Sequence, residues 1–565
     1  MESISSKIKN ESFMSKEENE EKNFTNERWE NGLTLRKRKI NEILSKKRGF
    51  DRFKNEGQKD YQIIKEEINI PIEIKNKKYD DLDQFLKEIK VYIQSENIEY
   101  NKYALYCIRT QTLNNEGSNN KNLFSELLIK QDYIVYIFNL IQKYFDNKKI
   151  IYEGLWILIN ILYYQNNNVD LVVNLSTQQC IQLYIKILDK KDNCLRLNIY
   201  WLLSNLLNNT NIGLTNQVLF HLYMSSLFRL YIIKDLEDNN SNLAEIELMN
   251  LILILSFLSD FVNDTFVRLK NNDIKNFLDY NSNVDYQSIM ENNKYLLEHL
   301  FNIFLKYIEN ANLNCYCFMG LSKLTNYLDD QIIFNKLFLS GLCRKLVKEQ
   351  IKVDEEFINY VVQIIGNYLY FIPENLIEPI FVEETFNYFV KLLQSYPSKQ
   401  ILKRDIFWSA SNIVVDDNNY CELFAKSGIL LLGLQSICTD NDTVINEALY
   451  MLLGFFDVNN IEIIINNNNL DYIKNLVSCL KNIHSKCTPG EAYKNKDIVH
   501  RALCCITSLF EIGNILKTNG LINKFIKDFE KNGGFELLEM MLSESNLSKD
   551  CEKLAENLLS VQNYN

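Results

Sequence analysis

The residues best placed to do chemistry in this 565-residue chain are three tryptophans, each followed four positions later by an asparagine. The copies are Trp156 with Asn160 in GLWILINIL, Trp201 with Asn205 in YWLLSNLL, and Trp408 with Asn412 in FWSASNIV. Residues four apart share one face of a helix, so each copy sets an aromatic plate beside a primary amide. The amide donates and accepts hydrogen bonds, and the plate attracts cations over its face. That chemistry is recognition rather than bond making. Three of the chain's four tryptophans lie in this phrase, more than core packing alone accounts for.

Groups suited to catalysis are missing from the pattern. His221, His299, His484 and His500 share no spacing with cysteines or acids that suggests a metal site or a catalytic triad. No Gly-rich phosphate loop is present, so neither an enzyme nor a bound cofactor is expected. The thirteen cysteines are scattered, with Cys315 and Cys317 or Cys504 and Cys505 the only close sets. Reduced thiols in a cytosolic or nuclear setting are the expectation.

The phrase must be carried by helices. Gly (17) and Pro (5) are scarce, which favours long helices. From Asp81 onward apolar helical runs are separated by short turns such as YYQNNN, NNTN, VDDNN and DVNN. The runs recur with a measurable period: Trp156 to Trp201 is 45 residues, Gln363 in VVQIIGN to Trp408 is 45, and Trp408 to Tyr450 in LYMLLG is 42. These intervals match the roughly 40 to 47 residues of armadillo and HEAT repeats. Worn copies fill the middle: LILSF has Leu253 and Phe257 at the Trp and Asn places, and MGLSK has Met319 and Lys323. Longer intervals there imply added loop in NNDIKNFLDYNSNVDYQSIMENN, and another around KCTPGEAYKNKD before the weak copy at Cys504 and Ser508. The reading is about ten units over 81–562, closed by a shorter one at 533–560.

Ahead of the repeats, residues 1–32 are polar, without apolar period and expected to be disordered. Residues 33–54, GLTLRKRKINEILSKKRGF and its flanks, read as a basic amphipathic helix, and 55–80 as a linker. The net charge of −11 hides an asymmetry: 33–54 carries nine basic residues against Glu42 and Asp51, or +7, which leaves −18 for the rest. A basic arm on an acidic body suits an acidic partner or its own body, and an acidic body argues against direct nucleic-acid binding. The most apolar run, LILILSFLS, is too short for a membrane span, and no secretory signal opens the chain.

With the arm and ladder together, the chain resembles the importin α family of nuclear-import adaptors. LRKRKINEILSKKR resembles that family's importin-β-binding helix, with two basic clusters around an acidic middle. The Trp-to-Asn phrases fall on the third helices of what would be the second, third and seventh repeats, and Asn367 in IIGN fits the sixth. The resemblance implies an all-α, right-handed superhelical solenoid of about ten armadillo repeats. It implies a concave groove in which Asn amides fix an extended peptide and slots between indoles take Lys or Arg stems, as in a nuclear localisation signal (NLS). The NLS-binding residues so implied are Trp156, Asn160, Trp201, Asn205, Asn367, Trp408, Asn412, Glu447 and Tyr450. Leu35, Arg36, Lys37, Arg38, Lys39, Lys46, Lys47 and Arg48 would bind importin β or occupy the groove when importin β is absent. The further partners implied are NLS-bearing cargo and an export receptor at the last repeats, with shuttling between nucleus and cytoplasm.

The likeness has gaps. The third major-site position is lost to Leu253 and Phe257, and the acid expected after the third repeat's ladder asparagine is Asn209. Tyr450 has Gly454 where an amide belongs, and ahead of LRK only Arg28 stands for the family's arginine run. The alternative reading is an armadillo scaffold for assembly or signalling, its groove drifted to non-basic partners.

Overall fold

In a computed structural model, the described residues are 68–71, 74 and most of 81–564; the longer stretches outside them are 1–67, 208–217, most of 220–250 and 260–285. The basic helix expected at 33–54, the disordered segment at 1–32, most of the linker and Asn209 therefore lie outside the described residues. The chain divides into two compact units, one running to Gly320 and one from Leu321 to the C-terminus. Both are all-α, and no strand occurs among the described residues.

Asparagine and its relatives start many of these helices. Asn147 accepts from Ile150 N ahead of the Lys148–Tyr164 helix, Asn168 from Leu171 N ahead of Val169–Leu175, and Asn441 from Val444 N ahead of Asp442–Phe455. A side-chain oxygen here satisfies a first-turn N–H that the helix cannot, which is why Asn-rich turns end one helix and begin another.

A second device bends the chain inside each unit. Asp132, Gly341, Gly428, Asp471 and Gly533 all adopt positive φ, between 50° and 93°. Each stands between two successive helices, as between Cys421–Ser427 and Ile429–Thr439, which meet at 67°. Glycine adopts this left-handed backbone without strain and Asp tolerates it. The element order that results, first helix, bend, second helix, ladder helix, is visible in Ser118–Lys130, Tyr133–Lys143 and Lys148–Tyr164, and again in Cys421–Ser427, Ile429–Thr439 and Asp442–Phe455.

The ladder helices stack. In the N-terminal unit Ile98–Asn114, Lys148–Tyr164 and Asn193–Leu207 pack each on the next. In the C-terminal unit the series is Ile358–Phe371, Gln400–Val414, Asp442–Phe455, Lys496–Thr518 and Lys549–Ser560. Their inward faces are fully buried aliphatics, such as Leu155, Leu158 and Ile161 or Val444, Ala448 and Leu452. The Lys496–Thr518 helix is long and apolar enough by composition to cross a membrane, yet 61% of its apolar window is buried within the protein.

Two expectations change. The stretch expected as inserted loop reaches into the Tyr286–Tyr307 helix, because the apolar residues Leu296, Leu297, Leu300, Phe301 and Phe304 give it a face to bury. Within the expected linker, Ile70 is buried, Asn69 N donates to Glu99, and Tyr103 donates to the Ile74 carbonyl at 2.9 Å. Part of that segment thus lies along the Ile98–Asn114 helix.

Candidate peptide-binding ladder

The ladder asparagines are tied to the helix before them. In the N-terminal unit Asn160 Nδ2 donates to Thr112 Oγ1 at 2.9 Å, and Asn205 Nδ2 to the Ile159 carbonyl at 3.4 Å. In the C-terminal unit Asn367 Nδ2 donates to Thr325 Oγ1 at 3.0 Å and Asn412 Nδ2 to the Gly366 carbonyl at 3.0 Å. Four amides thus donate to a group 42 to 48 residues back along the chain, two to threonine hydroxyls and two to backbone carbonyls. Each bond uses one of the amide's two N–H groups and sets the plane in which its oxygen lies. In two phrases the preceding serine donates to the tryptophan carbonyl, Ser204 to Trp201 at 2.9 Å and Ser411 to Trp408 at 2.7 Å.

The aromatic residues differ between units. Trp156 and Trp201 meet edge to face, with ring centroids 5.6 Å apart, and Trp201 is only 6% exposed. That is a contact distance for aromatic pairs, so the two indoles form one surface, and a side-chain stem enters between them only if they part. Leu253 is fully buried in the core and Phe257 half-buried, so the third position has no indole at the tryptophan place and no amide at the asparagine place. In the C-terminal unit Trp408, Asn412 and Tyr450 are all half-buried. Trp408 lies over Gly366, where even a methyl group would come within 2.5 Å of its ring.

In each unit a carboxylate stands three residues before a ladder aromatic, and only Glu447 was expected in this role. Glu153 precedes Trp156, Asp405 precedes Trp408, and Glu447 precedes Tyr450. Glu153 and Asp405 each meet a polar side chain on the previous ladder helix. Arg109 Nε is ion-paired with Glu153, and Gln363 Nε2 donates to Asp405 Oδ2 at 2.7 Å. Arg404 binds Asp405 Oδ1 through Nε at 2.9 Å and Nη2 at 2.6 Å. Burial opposes the charge of Arg404, yet Asp405 and then Glu447 hold its guanidinium above the ordinary range. Burial pushes the Glu153 carboxyl upward, and Arg109 and Lys149 offset only part of this. The signal was present in the sequence as an acid three before the ring in YEGLW, RDIFW and NEALY.

The ring of Tyr450 is engaged from the following helix, with the Arg501 guanidinium carbon 4.8 Å from its centroid. In the worn copy MGLSK, Met319 and Lys323 are buried at 3% and 6% exposure. The arm residues Leu35, Arg36, Lys37, Arg38, Lys39, Lys46, Lys47 and Arg48 lie outside the described residues.

These units, with bent helix pairs leading to stacked ladder helices, define an armadillo-type solenoid. No family model matches the chain, and no curated protein matches it. Among solved structures, an engineered protein from the Northeast Structural Genomics Consortium is similar over 84% of this chain and 98% of its own, at 12% identity and a TM-score of 0.58. At that identity the likeness speaks for the fold alone. A designed armadillo repeat protein aligns over 46% of this chain and 97% of its own, at 16% identity and a TM-score of 0.34, and a second, determined in complex with the peptide (KR)4, gives the same values.

Proposed function

We propose that this protein is a non-catalytic nuclear import adaptor of the importin α kind. It binds basic nuclear localisation signals along Trp156, Asn160, Trp201, Asn205, Asn367, Trp408, Asn412, Glu447 and Tyr450. It couples that cargo to importin β through Leu35, Arg36, Lys37, Arg38, Lys39, Lys46, Lys47 and Arg48, meets an export receptor at its last repeats, and shuttles between cytoplasm and nucleus. The observation that supports the reading is the set of four asparagines, each hydrogen-bonded in register to the preceding helix. An extended peptide leaves its backbone N–H and C=O groups unsatisfied, and a regular row of oriented amides suits them. Binding of labelled Lys/Arg-rich peptides at low salt tests this: the chain binds them, and Trp408→Ala with Asn412→Ala weakens binding. No affinity for any such peptide sinks the reading.

One observation favours a second reading, a scaffold whose N-terminal row has drifted from basic peptides. The closed Trp156–Trp201 pair and the buried Leu253 leave that row without open slots. On this reading neutral or acidic peptides bind as well as basic ones.

A further inference from the structure

Two stretches of the chain match position by position at a separation of 207 residues, from Asn160 to Asn367 and from Asn205 to Asn412. Asn160 and Asn367 both donate to a threonine hydroxyl, on Thr112 and Thr325. Asn205 and Asn412 reach back to the carbonyl just before each of them, on Ile159 and Gly366. Ser204 and Ser411 match as well, each donating to its tryptophan carbonyl. The correspondence extends to side chains outside the ladder. Tyr163, Val169 and Val173 in the N-terminal unit answer to Tyr370, Leu376 and Ile380 in the C-terminal unit. All six are between 41% and 61% exposed.

Residues i, i+4 and i+7 share a helix face, so Tyr163 continues the stripe of Trp156 and Asn160, and Tyr370 that of Gln363 and Asn367. In the two later copies, those of Tyr450 and Cys504, Asp457 and Glu511 take this place. Val169 and Val173 lie one turn apart on the Val169–Leu175 helix, away from its buried Leu171, Val172 and Leu175. Leu376 precedes the Pro379–Ser395 helix and Ile380 stands in its first turn. Each trio therefore follows the C-terminal end of its ladder helix.

We propose that each trio is an apolar side-chain site flanking the asparagine ladder, and that the peptide segment taken at each copy carries a leucine-like residue there. This rests on the peptide-binding reading given above. Asn160 and Asn205 stand on neighbouring ladder helices, so a backbone that meets both amides crosses those helices. An extended peptide points successive side chains to opposite flanks. One flank lies toward the N-terminal ends of the ladder helices, with Glu153 and Trp156, and the other toward the C-terminal ends, with Tyr163, Val169 and Val173. Alternate ligand side chains therefore meet an aromatic and aliphatic surface. Asn367, Asn412 and the second trio repeat the arrangement. Three partly exposed side chains fall far short of the roughly 800 Å² per partner in a stable protein interface, so the occupant is a single side chain rather than a second copy of the chain.

The test uses the full chain and fluorescence anisotropy with two labelled heptapeptides of equal charge, lysines alternating with serines in one and with leucines in the other. Wild type binds the leucine peptide about tenfold more tightly, the scale of one leucine side chain partly removed from water. Val169→Ser, Val173→Ser, Leu376→Ser and Ile380→Ser together bring the leucine peptide down to the affinity of the serine peptide. Tyr163→Ser with Tyr370→Ser lowers the preference independently, and if either variant melts below wild type the other decides. Equal affinity of wild type for the two peptides, or a leucine preference that both variants keep, overturns the proposal. Dimerisation in sedimentation that the variants abolish, with the leucine preference kept, makes the trios a self-contact and overturns it too. Equal affinity that still falls in the Trp408→Ala, Asn412→Ala variant spares the adaptor reading; no binding of either peptide refutes both.

Discussion

Replacing Gly366 with alanine tests whether the C-terminal row is held as a rigid unit. A methyl group there would lie 2.3 Å from Ser409 Oγ, 2.5 Å from Trp408 Cζ3 and 3.0 Å from Ser409 Cβ. The Ser409 hydroxyl has no easy retreat, being bonded to the Asp405 carbonyl at 2.7 Å and the Val362 carbonyl at 3.2 Å. The ring or the whole Gln400–Val414 helix must move. Alanine in place of glycine inside a helix contributes about 1 kcal/mol by propensity, while overpacking costs about 1–3 kcal/mol and the lost Ser409 bond about 1 kcal/mol. The expected sum is a loss of about 1–3 kcal/mol, with weaker binding of basic peptides because Trp408 and the Gly366 carbonyl that fixes Asn412 shift together. Gly433 is the control. Its added methyl would meet Met451 Cε at 2.6 Å, the far end of a flexible side chain, with other atoms at 4.0 Å. Gly433→Ala should gain up to about 1 kcal/mol by propensity. Urea melts and peptide titration of both variants read the outcome. A Gly366→Ala chain as stable as Gly433→Ala, with undiminished binding, would show that the helices separate freely and that the row is not preset.

Further expectations concern the buried charges. Glu153→Gln leaves Arg109 buried without its counter-charge and destabilises the N-terminal unit by about 3–5 kcal/mol, whereas a double replacement by Met and Leu is near neutral; a thermal-melt cycle measures both. The Asp440 carboxyl is pushed up by burial, but bonds from Lys403, at 2.8 Å, and from Gln400 and Ser436 outweigh this, and its pKa is lowered overall. A lowered acid stabilises the fold above its unfolded value of about 3.9 and loses this as pH falls through the folded value. Asp440→Asn should therefore flatten the acid limb of the stability profile below about pH 4, and an unchanged limb counts against the Lys403 pair. Asn147→Ala removes the cap on Ile150 N and should cost about 1 kcal/mol in urea melts.

Much of this molecule was legible in its residues. The Trp-to-Asn phrase and its 42- to 45-residue period lead to stacked ladder helices, because one apolar face per turn of sequence has to be covered by the next copy. Asn-rich turns marked the breaks between helices, and the structure shows some of these asparagines capping the helix that follows. What the spacing left hidden lies between helices. Nothing in the sequence separation of Trp156 and Trp201 says that their rings touch, since a period fixes the face and not the distance across it. Arg501 reaches Tyr450 across a connection of irregular length, so no period pointed to it. The carboxylates were visible as an acid three before a ladder ring, but Asp405 and Glu153 join the ladder only when Gln363 and Arg109 are seen meeting them from the preceding helix.

The central claim is that an oriented row of asparagines and aromatics binds basic peptide, and titration of the chain lacking residues 1–60 with a labelled Lys/Arg-rich peptide tests it most directly. The account predicts saturable binding that falls at least tenfold in the Trp408→Ala, Asn412→Ala double variant and weakens as salt is raised. Binding equally strong in that variant, or none to any basic peptide at low salt, contradicts it.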